Sequence, residues 1–388
     1  MEEVLIIGGG ASGLMSAVLL AESGRKVTVL EKNDRVGKKL LATGNGKCNL
    51  TNVNLSVNDY NTNASRDVIE EFSPQKVAEL FNKMGLLTKT DGEGRVYPYS
   101  ESANTVLNVL ISRLREYGAQ TVCDCAVTAL NYKNNKWIAV TSKGEFSADK
   151  VIFACGSNAT TGHDSLKILK DLGHKVKAFS YAIAPLKCDC VKGASGVRAK
   201  VYATVYINGQ AVMGEKGELL FKDNALSGIL AFRLSSAIAR NQNAKDCKVV
   251  IDFVPDLDES QLSEFIYRNC SAMSPLEGIL HKALAFNVVA TTPMDRSLIM
   301  SRKKAADLAK ACKNFQVDIL GVESKNHAQV ACGGVAVGEL DMKTMQSKLR
   351  EGLYCVGECV DVDGLCGGFN LHWAWASAAA AYKDIITK

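Results

Sequence analysis

Between residues 4 and 31 the chain reads Val4-Leu-Ile-Ile7, then Gly8-Gly-Gly10-Ala11-Ser12-Gly13. An Ala- and Leu-rich run follows to Gly24, and then Val27-Thr-Val-Leu30-Glu31. No other stretch restricts the fold as much. It spells a buried strand, a glycine turn, a helix, and a second strand ending in an acid, the unit that grips the pyrophosphate and ribose of a dinucleotide. Gly8 permits the tight turn, Gly10 lets the backbone approach phosphate, and Gly13 lets helix and strand pack closely. Ala11 and Ser12 open the helix, whose free N–H groups and positive dipole end suit an anion. Glu31, 18 residues past Gly13, is placed to accept hydrogen bonds from a ribose 2′-hydroxyl. A turn with no ligand would leave the first-strand position of these glycines unexplained.

The following segment, Lys32 to Asn52, is polar, glycine-bearing and too long for an ordinary connection, and long ordered loops are usually functional. Its basic residues and further glycines suit a second approach to phosphate and an extended ligand. A simple nicotinamide dehydrogenase does not need such a loop, whereas proteins that keep FAD extended and covered do.

Within that loop, Arg35-x-Gly37-Lys-Lys39-Leu and Thr43-Gly44-x-Gly46-x-Cys48-Asn49-x-Thr51-Asn52 look like the signature of BaiN/YhiN-like flavoproteins. That group includes aminoacetone-oxidase-like proteins and a bile-acid-pathway reductase. Lys47 stands where the family usually has Arg, which keeps the charge and loses the bidentate fork. Further matches are Gly217-Glu-Leu-Leu-Phe221 with Leu226-Ser-Gly228, Gly333-Gly334-Val335, and Gly357-Glu358 through Gly367-Gly368-Phe369-Asn370-Leu371. The resemblance covers essentially the whole chain.

It implies FAD as the cofactor, held by Gly8, Gly10 to Gly13, Glu31, Lys32, Gly37, Lys39, Gly46, Lys47, Cys48 and Asn49. By the same resemblance the Val127 backbone touches adenine, and Ala154 and Gly156 lie on an element that returns to FAD. Glu358 reaches the ribityl or pyrophosphate region, and Gly368, Phe369 and Asn370 meet the flavin. A helix from Leu371 to about Ile386 would then aim its N-terminus at the pyrimidine edge, favouring the negative charge of reduced flavin. Asn370 either caps this helix or bonds the ring, and Phe369 packs on it.

The expected fold class is α/β: a discontinuous Rossmann-type FAD-binding domain (1–186 and 319–388) with a β-rich insert (187–256) and a helical insert (257–318). Asn208-Gly209 between apolar runs is a strong hairpin signal in the first insert. The pattern further predicts helices over 66–84 and 104–118, a strand over Cys123–Val127, and a loop from Gly94 to Ser100. A second glycine fingerprint is lacking, so any nicotinamide would visit without a dedicated domain.

The chain of 388 residues is 47% hydrophobic with a net charge of +5, enough for two or three domains. No concentrated basic patch appears, so nucleic acid is not expected as a partner. No apolar run reaches the length of a membrane span, and the first apolar run is a strand rather than a leader. Thirteen cysteines in such a chain suit reduced thiols in a cytoplasm. Cys123-x-Cys125 and Cys188-x-Cys190 are the notable pairs, but no CxxC and no histidine at ligand spacing accompanies either, and no metal site is expected. Candidate catalytic side chains are Cys48, Tyr99 and His372, each weighed against a packing or surface role.

These features point to hydride transfer through flavin N5, from NAD(P)H or an organic donor to a small organic acceptor, in the reductive direction. An oxidase of a small amine or carbonyl compound using dioxygen, and a non-enzymatic flavin redox sensor, are the alternatives. The sequence leaves the substrate and the oligomeric state open.

Overall fold

The structure, a computed structural model, describes residues 2–157, 166–189, 191–241, 243–293, 299–323 and 328–388. Cys190, half of one cysteine pair noted above, lies outside them. The chain divides into two compact units, Met1–Ser180 with Gln329–Lys388, and Tyr181–Ala328.

The first unit is built on a seven-stranded sheet. Its order is Leu340–Asp341, Gln346–Ser347, Leu353–Cys355, Lys150–Phe153, Glu3–Ile7, Lys26–Leu30 and Gln120–Val122. The last five run parallel, while Leu340–Asp341 and Gln346–Ser347 add an antiparallel edge. Val4 to Ile7 are buried because this strand is central and covered on both faces, which is why it reads as a continuous apolar run. The chain steps from it to Lys26–Leu30 on one side and later returns to Lys150–Phe153 on the other. That reversal opens a crevice at the carboxyl ends of the strands.

The first helix, Ala11–Glu22, is buried from Ser12 to Ala21, so its apolar composition extends all round. It packs against the final helix, Phe369–Thr387. Trp373 and Trp375 on that helix are within 1% of full burial. Their indole N–H groups donate to Gly357 O and Leu50 O, both at 3.1 Å. Each buried indole contributes on the order of 4 kcal/mol from its area, and its one polar group is satisfied. The C-terminal segment is thereby anchored to the fingerprint and to the loop after it.

Three local expectations change. The helix over 66–84 is two, Arg66–Glu71 and Pro74–Lys83, because Pro74 starts a new helix under a Ser73 cap. The strand over Cys123–Val127 is a bend between Gln120–Val122 and Val127–Lys133, with Asp124 at φ 50°. The Gly94–Ser100 loop contains a strand, Arg95–Pro98, paired with Thr51–Asn52 and Thr88–Thr90.

The second unit is a closed barrel ordered Leu186–Cys188, Ala225–Ser227, Gln210–Lys222, Arg198–Ile207, Cys247–Asp252 and Phe315–Val322. Asn208 and Gly209 take φ 51° and 80°, the left-handed pair a tight hairpin requires. Helices Glu259–Asn269, Lys282–Thr291 and Arg302–Lys313 follow. The expected separation of 187–256 from 257–318 gives way to one unit. Leu262, Ile266, Leu284 and Leu308 from the helices share a core with Val205, Phe221 and Val249 from the barrel. After the helices the chain returns as Phe315–Val322 to close the barrel, so this strand is not part of the nucleotide domain.

Candidate functional site

The crevice of the first unit is lined by the turn Gly8–Ser12, by Glu31, Lys32 and Asn33, and by Gly37 to Leu40 with Thr43. Cys125 to Val127, Ala154 to Ser157, Glu358, and Asn370 with Leu371 complete much of the wall. Strand ends and two helix starts converge here.

The fingerprint glycines divide by task. A Cβ on Gly13 would run into Gly8 O, so this glycine serves helix–strand contact. Gly10 has nothing within 4 Å of its Cβ position and faces open cleft, the place where a ligand's phosphates can approach backbone. Gly10 starts the helix without a side-chain cap, and the first internal bond is Leu14 N to Gly10 O at 2.9 Å. The amides of Ala11, Ser12 and Gly13 therefore form the free, positive end of the helix.

Glu31 is 7% exposed. Its carboxylate accepts from Gly9 N and Asn33 N, both at 2.8 Å, and from the Asn33 side chain at 2.5 Å. Gly37 N donates to Gly9 O at 2.8 Å, fastening the next loop to the same turn. A carboxylate offers about four acceptor positions, so about one is left on a residue that lines the cleft. Lys32 beside it has its ammonium pKa lowered by burial. Farther along the wall Lys39 forms an ion pair with Glu358, and its ammonium also reaches Ser157 Oγ at 3.3 Å. Glu358 turns its other oxygen to Ala331 N at 3.0 Å.

The final helix contributes its start. Gly368 is its N-cap at φ 105°, and His372 N is the first amide bonded inside it, to Gly368 O. Asn370 and Leu371, within that open first turn, line the cleft. The cleft thus meets two helix N-termini, glycine backbone, a carboxylate with spare acceptor capacity and lysines. Such a donor set fits an extended dinucleotide carrying two phosphates.

Of the residues expected to hold the cofactor, Gly8, Gly10, Ala11, Ser12, Glu31, Lys32, Gly37, Lys39, Val127, Ala154, Gly156, Glu358 and Asn370 line this cleft. Gly13 lies beneath it, and Gly46, Lys47, Cys48, Asn49, Gly368 and Phe369 are not in its wall. Lys47 is exposed and paired with Glu101 at 2.5 Å. Asn49 is buried. Phe369 packs edge-on against Tyr60, centroids 6.5 Å apart, and not on the cleft. The Asn370 side chain is engaged in holding Gly364 N at 3.0 Å and Gly364 O at 2.9 Å, so its amide braces a turn instead of capping the helix.

None of the three catalytic candidates reaches the cleft wall. Cys48 is fully buried at φ 58°, and burial pushes its thiol up to about 12, so it stays protonated and unreactive. Tyr99 is 62% exposed, with the Lys89 ammonium 5.4 Å from its ring. His372 has no exposed surface, bonds Thr51 Oγ1 through Nδ1 at 2.8 Å, and is held neutral by burial with a pKa of about 4. Sequence reasoning did not single out Asn33, Ser157 or Gln329, and it named Thr43 only as part of the loop signature; all four line the cleft. Ser157 follows the expected Gly156 directly. Gln329 carried no motif to mark it.

Fold and site together define an enzyme of the FAD-dependent oxidoreductase class. The chain belongs to the family of the HI0933-like protein Rossmann domain, which it matches over residues 2–384, as the BaiN/YhiN-like resemblance implied. It is 34% identical to the 3-dehydro-bile acid delta(4,6)-reductase of Clostridium scindens, over 98% of each chain. It is 25% identical to the ribosomal RNA dihydrouridine synthase of Escherichia coli, over 99% of this chain and 98% of that one. Among solved structures, 3-ketosteroid delta1-dehydrogenase from Sterolibacterium denitrificans has a similar fold. The TM-score is 0.53 at 14% identity, with all of both chains covered.

Proposed function

We propose that this protein is an FAD-dependent reductase of a carbon–carbon double bond conjugated to a carbonyl. The observation that carries the reading is the complete dinucleotide cleft in a chain 34% identical, end to end, to a delta(4,6)-reductase of 3-dehydro bile acids. The synthase relatives are named for a product in which a carbonyl-conjugated bond of uracil is saturated, so the same bond type recurs. FAD, when bound, supplies a two-electron carrier that takes hydride from NAD(P)H or an organic donor and delivers it to the acceptor carbon.

The chain's own work is binding and electrostatic tuning. The amide end of Ala11–Glu22 would hold the pyrophosphate, and Glu31 would accept from the ribose. Lys39 and Glu358 set charge along the wall, and the start of Phe369–Thr387 would favour negative charge at the ring's pyrimidine edge. All twelve cysteines among the described residues are free thiols, which supports a reducing, cytoplasmic setting. No helix among the described residues is long and apolar enough to cross a membrane.

The test is anaerobic. The purified holoenzyme is reduced with NADH or NADPH, and a steroid 4-en-3-one is added. Bleaching of the flavin band by the nicotinamide and its return with the enone, in proportion to saturated product, is the expected result. A reduced flavin that reoxidises with dioxygen and never with an enone would replace the reductase with an oxidase.

A further inference from the structure

The loop signature ends in Asn49-Leu50-Thr51-Asn52, four buried residues that stand outside the cleft wall. All four engage the start of the final helix. A Cβ on Gly368 would come within 2.9 Å of Asn49 Oδ1 and 2.8 Å of the Thr51 carbonyl, so the N-cap glycine lies directly on this segment. Leu50 O accepts from the Trp375 indole, and Asn52 Nδ2 donates to Gly367 O at 3.3 Å. Thr51 Oγ1 is hydrogen-bonded to His372 Nδ1 at 2.8 Å, with neither residue exposed.

The segment has a firm base of its own, since Thr51–Asn52 pairs with Arg95–Pro98 and Leu50 N donates to Val96 O at 2.8 Å. The helix start has less. Gly368 caps it without a side chain, and the amides of Phe369, Asn370 and Leu371 precede the first internal bond, His372 N to Gly368 O. Their aim therefore depends on what grips the turn from outside. Tyr60 Oη holds Phe369 O at 2.9 Å, and the Thr51–His372 bond ties the last side chain of the turn to the signature strand. Asn49 Oδ1, on a residue 7% exposed, points at the same N-cap and has no hydrogen-bond partner among the described residues. An unmet acceptor beside free amides is the pattern that a flavin pyrimidine edge complements, with one N–H between two carbonyls.

We infer that His372 is a positioning residue for hydride transfer: its bond to Thr51 keeps the free amides of Phe369, Asn370 and Leu371 aimed at the flavin's pyrimidine edge, where they stabilise the reduced ring. His372 is outside the cleft wall, so it acts through the backbone it holds. Donors stabilise developing charge most when they are fixed in place beforehand, and a turn that can swing away loses part of that effect. The inference rests on the reading that this helix start meets the flavin, and it does not depend on which acceptor is reduced.

The experiment is the midpoint potential of the flavin in the holoenzyme, measured anaerobically against a reference dye, beside the Kd for oxidised FAD. Thr51→Val removes the hydroxyl at nearly constant size, and His372→Ala removes the ring. Each should weaken the hold on reduced relative to oxidised flavin by about three- to tenfold, a fall of about 15–30 mV for a two-electron couple. Binding of oxidised FAD should stay within about twofold. Thr51→Ser and His372→Asn keep the bond and should keep the wild-type potential; should His372→Ala fail to fold, the Thr51 pair decides. Asn370→Asp places a negative charge in the same open turn and tests the underlying placement, since it should lower the potential if the turn faces the flavin. A lowered potential in Asn370→Asp with a wild-type one in Thr51→Val would overturn the positioning role and leave the placement intact. Wild-type potentials in both would overturn the placement and the inference with it. Equal losses in Thr51→Val and Thr51→Ser would trace the effect to packing and overturn the role of the bond.

Discussion

Glu31→Gln removes one acceptor from a buried junction without changing its size. In the native chain the carboxylate satisfies Gly9 N, Asn33 N and the Asn33 side chain, and it retains about one acceptor position toward the cleft. Gln keeps one oxygen, which can serve Asn33. Its NH₂ group then faces the Gly9 amide, so donor meets donor. A hydrogen bond to a charged group is worth about 1.5–3 kcal/mol, and an orphaned buried donor costs a similar amount. A loss of that size corresponds to about ten- to hundredfold weaker FAD binding, since 1.4 kcal/mol is about tenfold. The fingerprint turn also joins the sheet's central strand to the first helix, so the melting temperature should fall by roughly 3–10 °C in a unit of this length. The assay is release of FAD followed by flavin fluorescence on dilution, with a thermal melt in parallel. Asn33→Ala, which deletes only one of the three donors, should give a smaller effect on both. If Glu31→Gln held FAD within twofold of wild type and melted within about 1 °C, the assignment of this carboxylate as the keystone of the turn would be wrong.

Two further outcomes follow from burial and packing. Gly10→Ala should fold and accumulate normally but bind FAD poorly, because its Cβ enters open cleft, whereas Gly13→Ala should yield little soluble protein, because its Cβ meets Gly8 O; soluble yield and flavin per protein distinguish the two. His372 has its folded pKa lowered from 6.5 to about 4 by burial. The unfolded chain therefore takes up this proton first, and stability present above about pH 6.5 is lost as pH falls toward 4, by up to about 3 kcal/mol. Buried His174, also lowered by burial, adds to the slope in the same direction. His372→Asn should flatten the melting temperature between pH 6.5 and 4; an unchanged slope would refute the linkage.

The cleft was legible in the sequence where its chemistry depends on neighbours along the chain. A glycine turn between an apolar strand and a helix dictates free amides at a helix start whatever else the chain does, and an acid ending the next strand must return beside that turn. Motif membership was a weaker guide to position. Cys48 and Asn49 sit in the loop signature, yet they are buried under it. Phe369 shares a motif with Asn370 but turns toward Tyr60. A motif records which residues a segment needs, without separating those that touch a ligand from those that hold its shape.

The sequence by itself therefore determined the nucleotide fold, the fingerprint turn and the placement of Glu31, because strand, turn and helix follow from local backbone preferences and short-range spacing. Only tertiary structure decided the rest. Lys39 and Glu358, 319 residues apart, meet because two distant segments end at the same crevice. The helices over 257–318 join the barrel's core because the chain returns as Phe315–Val322 to close it. Thr51 and His372, 321 residues apart, bond because the end of the loop signature lies on the start of the final helix. Contacts between distant segments depend on how the whole chain closes, and no local preference encodes that closure.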